Sequence, residues 1–138
     1  MKRIILSLAA TSAAIALAPA ADAAIYIGVS YDGGATITQV ATGASSANYN
    51  TISNGFSFNV NGTGFPLLTM PELDTQSINI RSDAGKPQTI DVYVTQTDLA
   101  ALNAGLTSSF TSNTTTNVTA RTTSYYSASN ALFGGTQL

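Results

Sequence analysis

The sequence predicts an all-β fold, an antiparallel β-sandwich of immunoglobulin-like or jelly-roll-like type with about seven or eight strands. Three observations support this prediction. Apolar and polar residues alternate along several segments, Gly- and Asn-containing turns separate these segments, and only 9% of the residues are charged. Alternation with a period of two is typical of strands that have one buried and one solvated face. We expect a single domain over residues 24–138, long enough for one hydrophobic core.

The N-terminal segment has the pattern of a signal peptide. Lys2 and Arg3 precede an apolar run from Ile4 to Leu17, and Ala21-Asp22-Ala23 supplies a cleavage site with small residues. A helix over this run reaches about 21 Å, which is shorter than the roughly 30 Å hydrocarbon core of a membrane. We therefore expect residues 1–23 to be a signal-peptide helix that is removed on export. The alternative is a membrane anchor formed by the uncleaved segment.

The composition limits the classes of function that the domain can have. The chain has seven acidic and five basic residues, and Asp22, Lys2 and Arg3 lie in the signal segment, which leaves six and three. Three cations cannot form a patch that neutralises phosphates, so we expect no nucleic-acid partner. Histidine is absent, which removes the commonest general base and the commonest transition-metal ligand. We predict no catalytic residue, metal site or cofactor, and hence no enzyme.

The first hairpin is predicted from the start of the domain. Ala24 to Tyr31 alternates as a strand, and the following Asp32-Gly33-Gly34 is a turn in which Gly can take positive φ. A three-residue loop pairs Val29 with Ile37, whereas a two-residue loop pairs it with Thr36. The first register is favoured because it places an apolar residue opposite an apolar residue.

The next segment contains a polar loop and one well-marked strand. A short edge strand is expected near Ala47 to Ile52, and Asn54-Gly55 is a turn before the next strand. Phe65 to Glu72 cannot be a central strand because its two prolines remove backbone donors. We expect it to pack over an open end of the sandwich, and the alternative is an exposed apolar binding patch. The strand after the turn has its apolar face formed by Phe56, Phe58 and Val60.

The stretch from Leu73 to Thr97 is predicted to be the central hairpin of the domain. Two alternating segments flank a polar loop, and one register places their apolar side chains on a common face, which we expect to be buried. On the solvated face Arg81 lies diagonal to Asp91, and such an exposed pair contributes only about 0–1 kcal/mol. The apolar pairs of this register are Ile80 with Ile90 and Ile78 with Val92.

The remainder of the chain is expected to contain one short helix and one further long strand. Asp98 can cap a helix over residues 98–105, and Gly105 suits its C-terminal end. Val118 to Tyr125 alternates and is rich in Thr, which favours a strand. Asn130 to Leu138 has the pattern of half a hairpin, so we expect the chain to stop before its last strand or strands.

Tyrosines are the candidate ligand contacts. Aromatic rings can pack on the apolar faces of sugar rings while the hydroxyl group forms hydrogen bonds. On this ground Tyr93, Tyr125 and Tyr126 are tentative contacts to a carbohydrate, and Tyr31 is a further candidate. The alternative for Tyr125 and Tyr126 places one ring in the core and the other at its rim.

Several short motifs connect the chain with a known family. They are Ala21-Asp22-Ala23, Gly55-Phe56, Pro66-Leu67-Leu68, Leu73-Asp74, Ser77-Ile78-Asn79, Ala84-Gly85, Ser108 to Thr111, Val118-Thr119, Tyr125 and Asn130 to Phe133. In these residues the chain resembles secreted bacterial proteins with a PEP-CTERM sorting domain, from Gram-negative bacteria that make exopolysaccharide. Such proteins end in Pro-Glu-Pro, an apolar helix and a basic tail, and this tail does not occur before Leu138. The resemblance implies a role at the surface or in the matrix and no known catalytic residues.

Together these observations lead to three functional hypotheses. The first is an exported, non-catalytic structural or adhesive protein of the cell surface or extracellular matrix of a Gram-negative bacterium, associated with exopolysaccharide or biofilm. Its expected partners are exopolysaccharide, other surface proteins and, through open strand edges, further copies of itself. The second is a carbohydrate-binding module that uses the tyrosines. The third, a glycan hydrolase, requires two carboxylates that face each other in a cleft.

Overall fold

The computed structural model describes residues 23–68, 72–82, 89–99, 107–109, 111 and 118–138. Over these residues the chain forms strands and no helix, so the predicted all-β class is confirmed. The signal segment, residues 1–22, lies outside the described residues. The strands are β1 (Ala24–Ser30), β2 (Thr38–Gly43), β3 (Ser46–Ser53), β4 (Phe56–Thr63), β5 (Asp74–Ser82), β6 (Asp91–Thr97), β7 (Tyr125–Tyr126) and β8 (Thr136–Gln137).

Two three-stranded antiparallel sheets form the body of the described structure. Sheet I has the order β2-β1-β6, sheet II has the order β3-β4-β5, and β7 pairs with β8 in a separate hairpin. The inner faces of β1 and β4, with Ala47 of β3, supply the buried side chains that the two sheets share. One cluster contains Ile25, Ile27, Ala47 and Val60, and the other contains Val29, Phe56 and Phe58.

The alternation correctly predicted the buried faces of the central strands β1 and β4. Phe56, Phe58 and Val60 are all buried, as expected from their spacing. Complete burial of one such side chain stabilises the fold by about 1.5–3 kcal/mol. The ring of Phe58 also lies 5.6 Å from that of Tyr49 and 6.5 Å from that of Tyr31, measured between centroids. Phe58 is therefore surrounded by aromatic contacts from β3 and from the end of β1.

The turn between β3 and β4 explains their register. Asn54 and Gly55 both have positive φ, 49° and 76°, as a two-residue type I′ turn requires. This turn pairs Ser53 with Phe56 and continues in register to Ser46 and Thr63. The predicted short edge strand is confirmed and extends over eight residues.

The predicted register of the first hairpin is wrong. Val29 pairs with Thr38 and not with Ile37, because β2 begins only at Thr38 and contains a bulge opposite the Ile27–Gly28 step. Ile37 instead lies over Gly28, where a Cβ atom would be only 2.8 Å from Ile37 Cγ2. The side chain of Ile37 covers the outer face of sheet I, and this contact takes the place of the predicted strand pairing.

The predicted central hairpin is also wrong, because its two strands lie in different sheets. β5 pairs with β4, and β6 pairs with β1. The alternation correctly identified two strands, but it cannot specify the partner of each. The pairs observed are Ile78 with Val60, Ile80 with Phe58, and Val92 with Val29.

The separation of β5 from β6 changes the expected environment of their side chains. Ile78 and Ile80 are 43% and 38% exposed, so the apolar face of β5 is not buried. Arg81 lies opposite Ser57 in sheet II, and Asp91 lies opposite Ser30 in sheet I. The predicted cross-strand pair of Arg81 and Asp91 is therefore wrong as well.

After β6, neither the start of the predicted helix nor the predicted long strand is present in the described residues. Asp98 has a φ of 56°, and residues 98 and 99 are not helical, while residues 100–105 of the predicted helix lie outside the described part. The long strand expected from Val118 is wrong, since only Tyr125–Tyr126 forms a strand. The C-terminal residues Thr136–Gln137 pair with it and complete a two-stranded hairpin.

The segment after β4 is exposed at most of the positions that are described, and Leu68 is half-buried. Phe65 and Leu67 both present apolar side chains to solvent, and residues 69–71 of this segment lie outside the described residues. These two side chains agree with the alternative of an exposed apolar patch, and not with a cover over the end of the core.

The observed pairing makes a prediction about stability. We expect Phe58→Ala to lower the free energy of unfolding by about 3–5 kcal/mol, because it leaves a cavity between the two sheets. Ile80→Ala removes a similar apolar side chain from a half-open position, so its cost should be much smaller. Urea denaturation of the purified protein measures both. Equal losses would contradict the observed pairing and support the central hairpin.

Candidate functional site

The candidate site lies on the outer face of sheet I, the face turned away from sheet II. Directly opposite residues of an antiparallel pair share a face, and this face alternates with the buried one. Because Ile27 and Val29 point inward, their neighbours Gly28 and Ser30 belong to the outer face. Gly28 lies opposite Tyr93, and Ser30 lies opposite Asp91. The site therefore combines a glycine, an aromatic ring and polar groups on two adjacent strands.

Gly28 provides the space for an aromatic side chain from the C-terminal segment. A Cβ atom at Gly28 would lie 2.8 Å from Cζ of Phe133 and 2.8 Å from Cγ2 of Ile37. The ring of Phe133 lies 6.0 Å from that of Tyr93, centroid to centroid, at an interplanar angle of 58°. We call Gly28, Ile37 and Tyr93 the Phe133 socket. Any side chain at Gly28 would displace the ring of Phe133 from the socket.

A pair of hydrogen bonds gives the C-terminal segment a second attachment. The Asn130 side-chain amide donates from Nδ2 to Asp98 Oδ1 at 2.7 Å, and the Asp98 backbone N–H donates to Asn130 Oδ1 at 2.9 Å. The hydroxyl of Thr97 donates to the other carboxylate oxygen of Asp98 at 2.9 Å. Asp98 thus connects the end of β6 with the segment that carries Phe133.

The loop after β1 holds a carboxylate near this face. Ser30, 1% exposed, donates from Oγ to Asp32 Oδ1 at 2.7 Å and accepts the backbone N–H of Gly34 at 2.9 Å. The backbone N–H of Thr36 donates to the same carboxylate oxygen at 2.9 Å. The hydrogen bonds from Ser30 and Thr36 lower the pKa of Asp32 from 3.8 to about 2. Asp32 therefore carries a fixed negative charge at neutral pH.

Tyr93 lies between the socket and these acidic groups. A Cβ atom at Gly34 would lie 2.7 Å from the Tyr93 hydroxyl oxygen, so the hydroxyl reaches the loop of Asp32. Burial raises the pKa of Tyr93, and the nearby charges of Asp91, Tyr125 and Asp32 raise it further. The hydroxyl consequently stays protonated and can donate a hydrogen bond to an acceptor. The structure brings together two predicted tyrosines, Tyr93 and Tyr125, and two carboxylates that sequence reasoning did not assign to a site.

The other predicted tyrosines have different environments. Tyr125 is 51% exposed and Tyr126 is 39% exposed, so the alternative that places one of them in the core is wrong. Consecutive strand residues point to opposite faces, so the two rings do not form one flat platform. Tyr31 packs against Phe56 with ring centroids 6.2 Å apart, and its hydroxyl oxygen is buried. Tyr31 therefore packs against the core as a partly buried residue, unlike the two exposed tyrosines.

Sequence reasoning missed Phe133 and Gly28, the two residues that define the socket. Phe133 precedes Gly134-Gly135, which indicated a turn, and Gly28 interrupts an otherwise apolar strand. A glycine inside a strand is a signal for a close approach by another group. That signal could have identified Gly28, although not its partner more than one hundred residues later in the chain.

The chain was compared with known protein families, with characterised proteins and with solved structures, and none of these comparisons finds a match. Across the part of the chain that the structure describes, no three His, Cys, Asp or Glu side chains form a group that could hold a metal ion. No helix in that same part is long and apolar enough to cross a membrane.

The socket makes a prediction that a double-mutant cycle tests. Gly28→Ala should destabilise the protein by about 1–3 kcal/mol, since the new methyl group overlaps the positions of Phe133 and Ile37. In a Phe133→Ala background the same substitution should cost less, with a coupling of about 0.5 kcal/mol or more. Thermal and urea unfolding of the four proteins measure this coupling.

Gly134→Ala is the matched control for this cycle. The nearest heavy atom to a Cβ there is 3.9 Å away, so the change should stay within about 0.5 kcal/mol. Additive effects of Gly28→Ala and Phe133→Ala would show that the ring does not occupy the socket.

Proposed function

We propose that this chain is an exported, non-catalytic protein of the cell surface or extracellular matrix of a Gram-negative bacterium, with a structural or adhesive role. We further propose that its domain is a β-sandwich. The signal-peptide pattern of residues 1–23 and the resemblance to exopolysaccharide-associated secreted proteins support the location. The two core clusters shared by β1 and β4 support the sandwich.

The adhesive role is inferred from the side chains on the outer face of sheet II. Its asparagines alternate with the buried residues of β4, and they continue across the neighbouring strands. Asn48 Nδ2 donates to Asn61 Oδ1, and Asn61 Nδ2 donates to Asn59 Oδ1 at 3.2 Å. The asparagines of this face, which we call the asparagine face, are Asn48, Asn50, Asn59, Asn61 and Asn79.

The chemistry of the asparagine face suits a polymer rich in hydroxyl groups. A side-chain amide both donates and accepts hydrogen bonds, as a sugar hydroxyl does. The five amides are uncharged, so contacts to them avoid the cost of transferring a charge out of water, and the one cation of β5, Arg81, lies on the same face opposite Ser57. These properties favour a partner such as exopolysaccharide over an anionic nucleic acid or a strongly charged protein.

A carbohydrate-binding module that uses the tyrosines is the second candidate, favoured by a different observation. Tyr125 and Tyr126 expose aromatic surface, and the protonated Tyr93 hydroxyl lies within electrostatic reach of both Tyr125 and the ionised Asp32. An aromatic ring beside a hydrogen-bond acceptor and a donor is a suitable arrangement for a single sugar ring. This site combines Tyr125 and Tyr126 of β7 with Tyr93 of β6, and it is separate from the asparagine face of sheet II.

One binding assay decides between the two surfaces. The purified protein is sedimented with exopolysaccharide isolated from a Gram-negative bacterium, and the bound fraction is measured. We expect Asn48→Asp together with Asn50→Asp to reduce binding severalfold, because each change replaces donors with a charge that must be desolvated. The exposed Gln39→Glu on sheet I is the matched control and should bind as the original protein does.

The tyrosine variants give the opposite result under the second candidate. If the tyrosines form the site, Tyr125→Ala and Tyr126→Ala should weaken binding by about 2- to 10-fold, and the asparagine variants should leave it unchanged. Full binding by the double asparagine variant and by both tyrosine variants, or no binding by the original protein, would contradict both proposals.

A further inference from the structure

Strand β5 forms an edge of sheet II with apolar side chains that remain half-exposed. Among the described strands it pairs only with β4. Ile78 and Ile80 point to the same face as the buried Val60 and Phe58, but they lie at the margin of the core. Pro is absent from β5, and its charged residues, Asp74 and Arg81, lie toward its two ends, so the middle of the strand lacks the usual means of blocking an edge. This edge therefore has the properties of one that accepts another strand.

On the other face of sheet II, a row of aligned side-chain amides ends at β5. Asn50, Asn59 and Asn79 lie directly opposite one another across β3, β4 and β5. Side chains in such a row are separated by the strand spacing of about 4.8 Å. A strand added at β5 with Asn in the matching position would extend the row, and amide ladders of this kind stabilise neighbouring strands.

We infer that β5 pairs antiparallel with β5 of a second copy of this chain, about a two-fold axis at Asn79. In this register Asn79 lies opposite Asn79 of the partner subunit. Ile78 lies opposite the partner's Ile80, and Ile80 lies opposite the partner's Ile78. The apolar side chains then meet on one face and the amides meet on the other.

Other registers are less complementary. A shift by one residue places Ile78 on the same side as polar residues of the second copy, because side chains alternate with a period of two. An axis at Ile78 keeps the faces matched, but it sets Ile80 opposite Gln76 and Asn79 opposite Ser77. The axis at Asn79 alone pairs apolar with apolar and amide with amide along the middle of the strand.

The pairing produces a closed dimer. The same strand serves on both sides of the axis, so the interface is isologous and does not propagate into a fibre. Sheet II then becomes a continuous six-stranded sheet in the order β3-β4-β5-β5-β4-β3, with the two asparagine faces on the same side. Backbone hydrogen bonds between the two copies of β5 supply the affinity, as in other strand additions. The inference goes beyond the proposed function, since it holds whether or not the asparagine face binds a polymer.

A single cysteine tests the register. The chain contains no cysteine, so Asn79→Cys introduces one thiol per copy. In the proposed dimer the two Cα atoms are about 4.5–5.5 Å apart, which a disulfide can bridge. After mild oxidation of the purified full chain, we expect a covalent dimer that dithiothreitol reverses. Asn50→Cys is the matched control, in the same row but on β3, and should stay monomeric.

A second substitution tests the apolar half of the interface. Ile80→Lys introduces a charge at the edge and should reduce cross-linking of Asn79→Cys at least severalfold. Ile52→Lys, at an isoleucine that is 75% exposed on β3, should not. Circular dichroism checks that each variant folds, and sedimentation of the unsubstituted protein should show a dimer that dissociates on dilution.

Three results would overturn the pairing. They are an unsubstituted protein that stays monomeric at every concentration, an Asn79→Cys protein that folds but does not cross-link, and an Asn50→Cys protein that cross-links equally well. The polysaccharide assay can fail while the cross-link forms, and the reverse is also possible, so the two proposals are distinguishable.

Discussion

The contact between β1 and β4 is the interaction on which the rest of the described structure depends. Ile25 and Ile27 from sheet I meet Val60 from sheet II, and all three side chains are fully buried. Because both strands are central in their sheets, every other strand of these sheets is an addition to one of them. With no cysteine to form a disulfide, the domain relies on this apolar contact and on its backbone pairing.

The two outer faces that result have different chemistry. On sheet I, a glycine at the centre of β1 admits Phe133 from the C-terminal segment, and Asp98 with Asn130 holds that segment in place. Acidic groups and Tyr93 surround this contact. On sheet II, the outer positions of β4 that follow the buried Phe58 and Val60 are Asn59 and Asn61, which leave a strongly hydrogen-bonding surface. The first face packs against its own chain, whereas the second exposes Asn48, Asn50 and Asn79.

The sequence was sufficient to predict the class of fold and several strands, because alternation directly reflects which face is buried. The Asn54-Gly55 turn was also readable, since its two residues have the required positive φ. The partner of each strand could not be predicted, because Ile78 and Ile80 alternate in the same way whether they pair with β4 or with β6. For the site, exposed tyrosines could be named as candidates, but the meeting of Tyr93 with Phe133 and Asp32 depends on contacts distant in sequence. Only Gly28, a glycine within a strand, provided a local signal that another group approaches the strand there.

Amide hydrogen exchange resolved by residue tests the central role of β1 and β4 most directly. Amides in the most stable part of a protein exchange only on global unfolding, whereas edges and small hairpins open locally. We expect the slowest exchange in residues 24–30 and 56–63, with faster exchange in the β7-β8 hairpin. If residues 74–82 and 91–97 were instead the most protected and opened together as one unit, the arrangement around β1 and β4 would be contradicted.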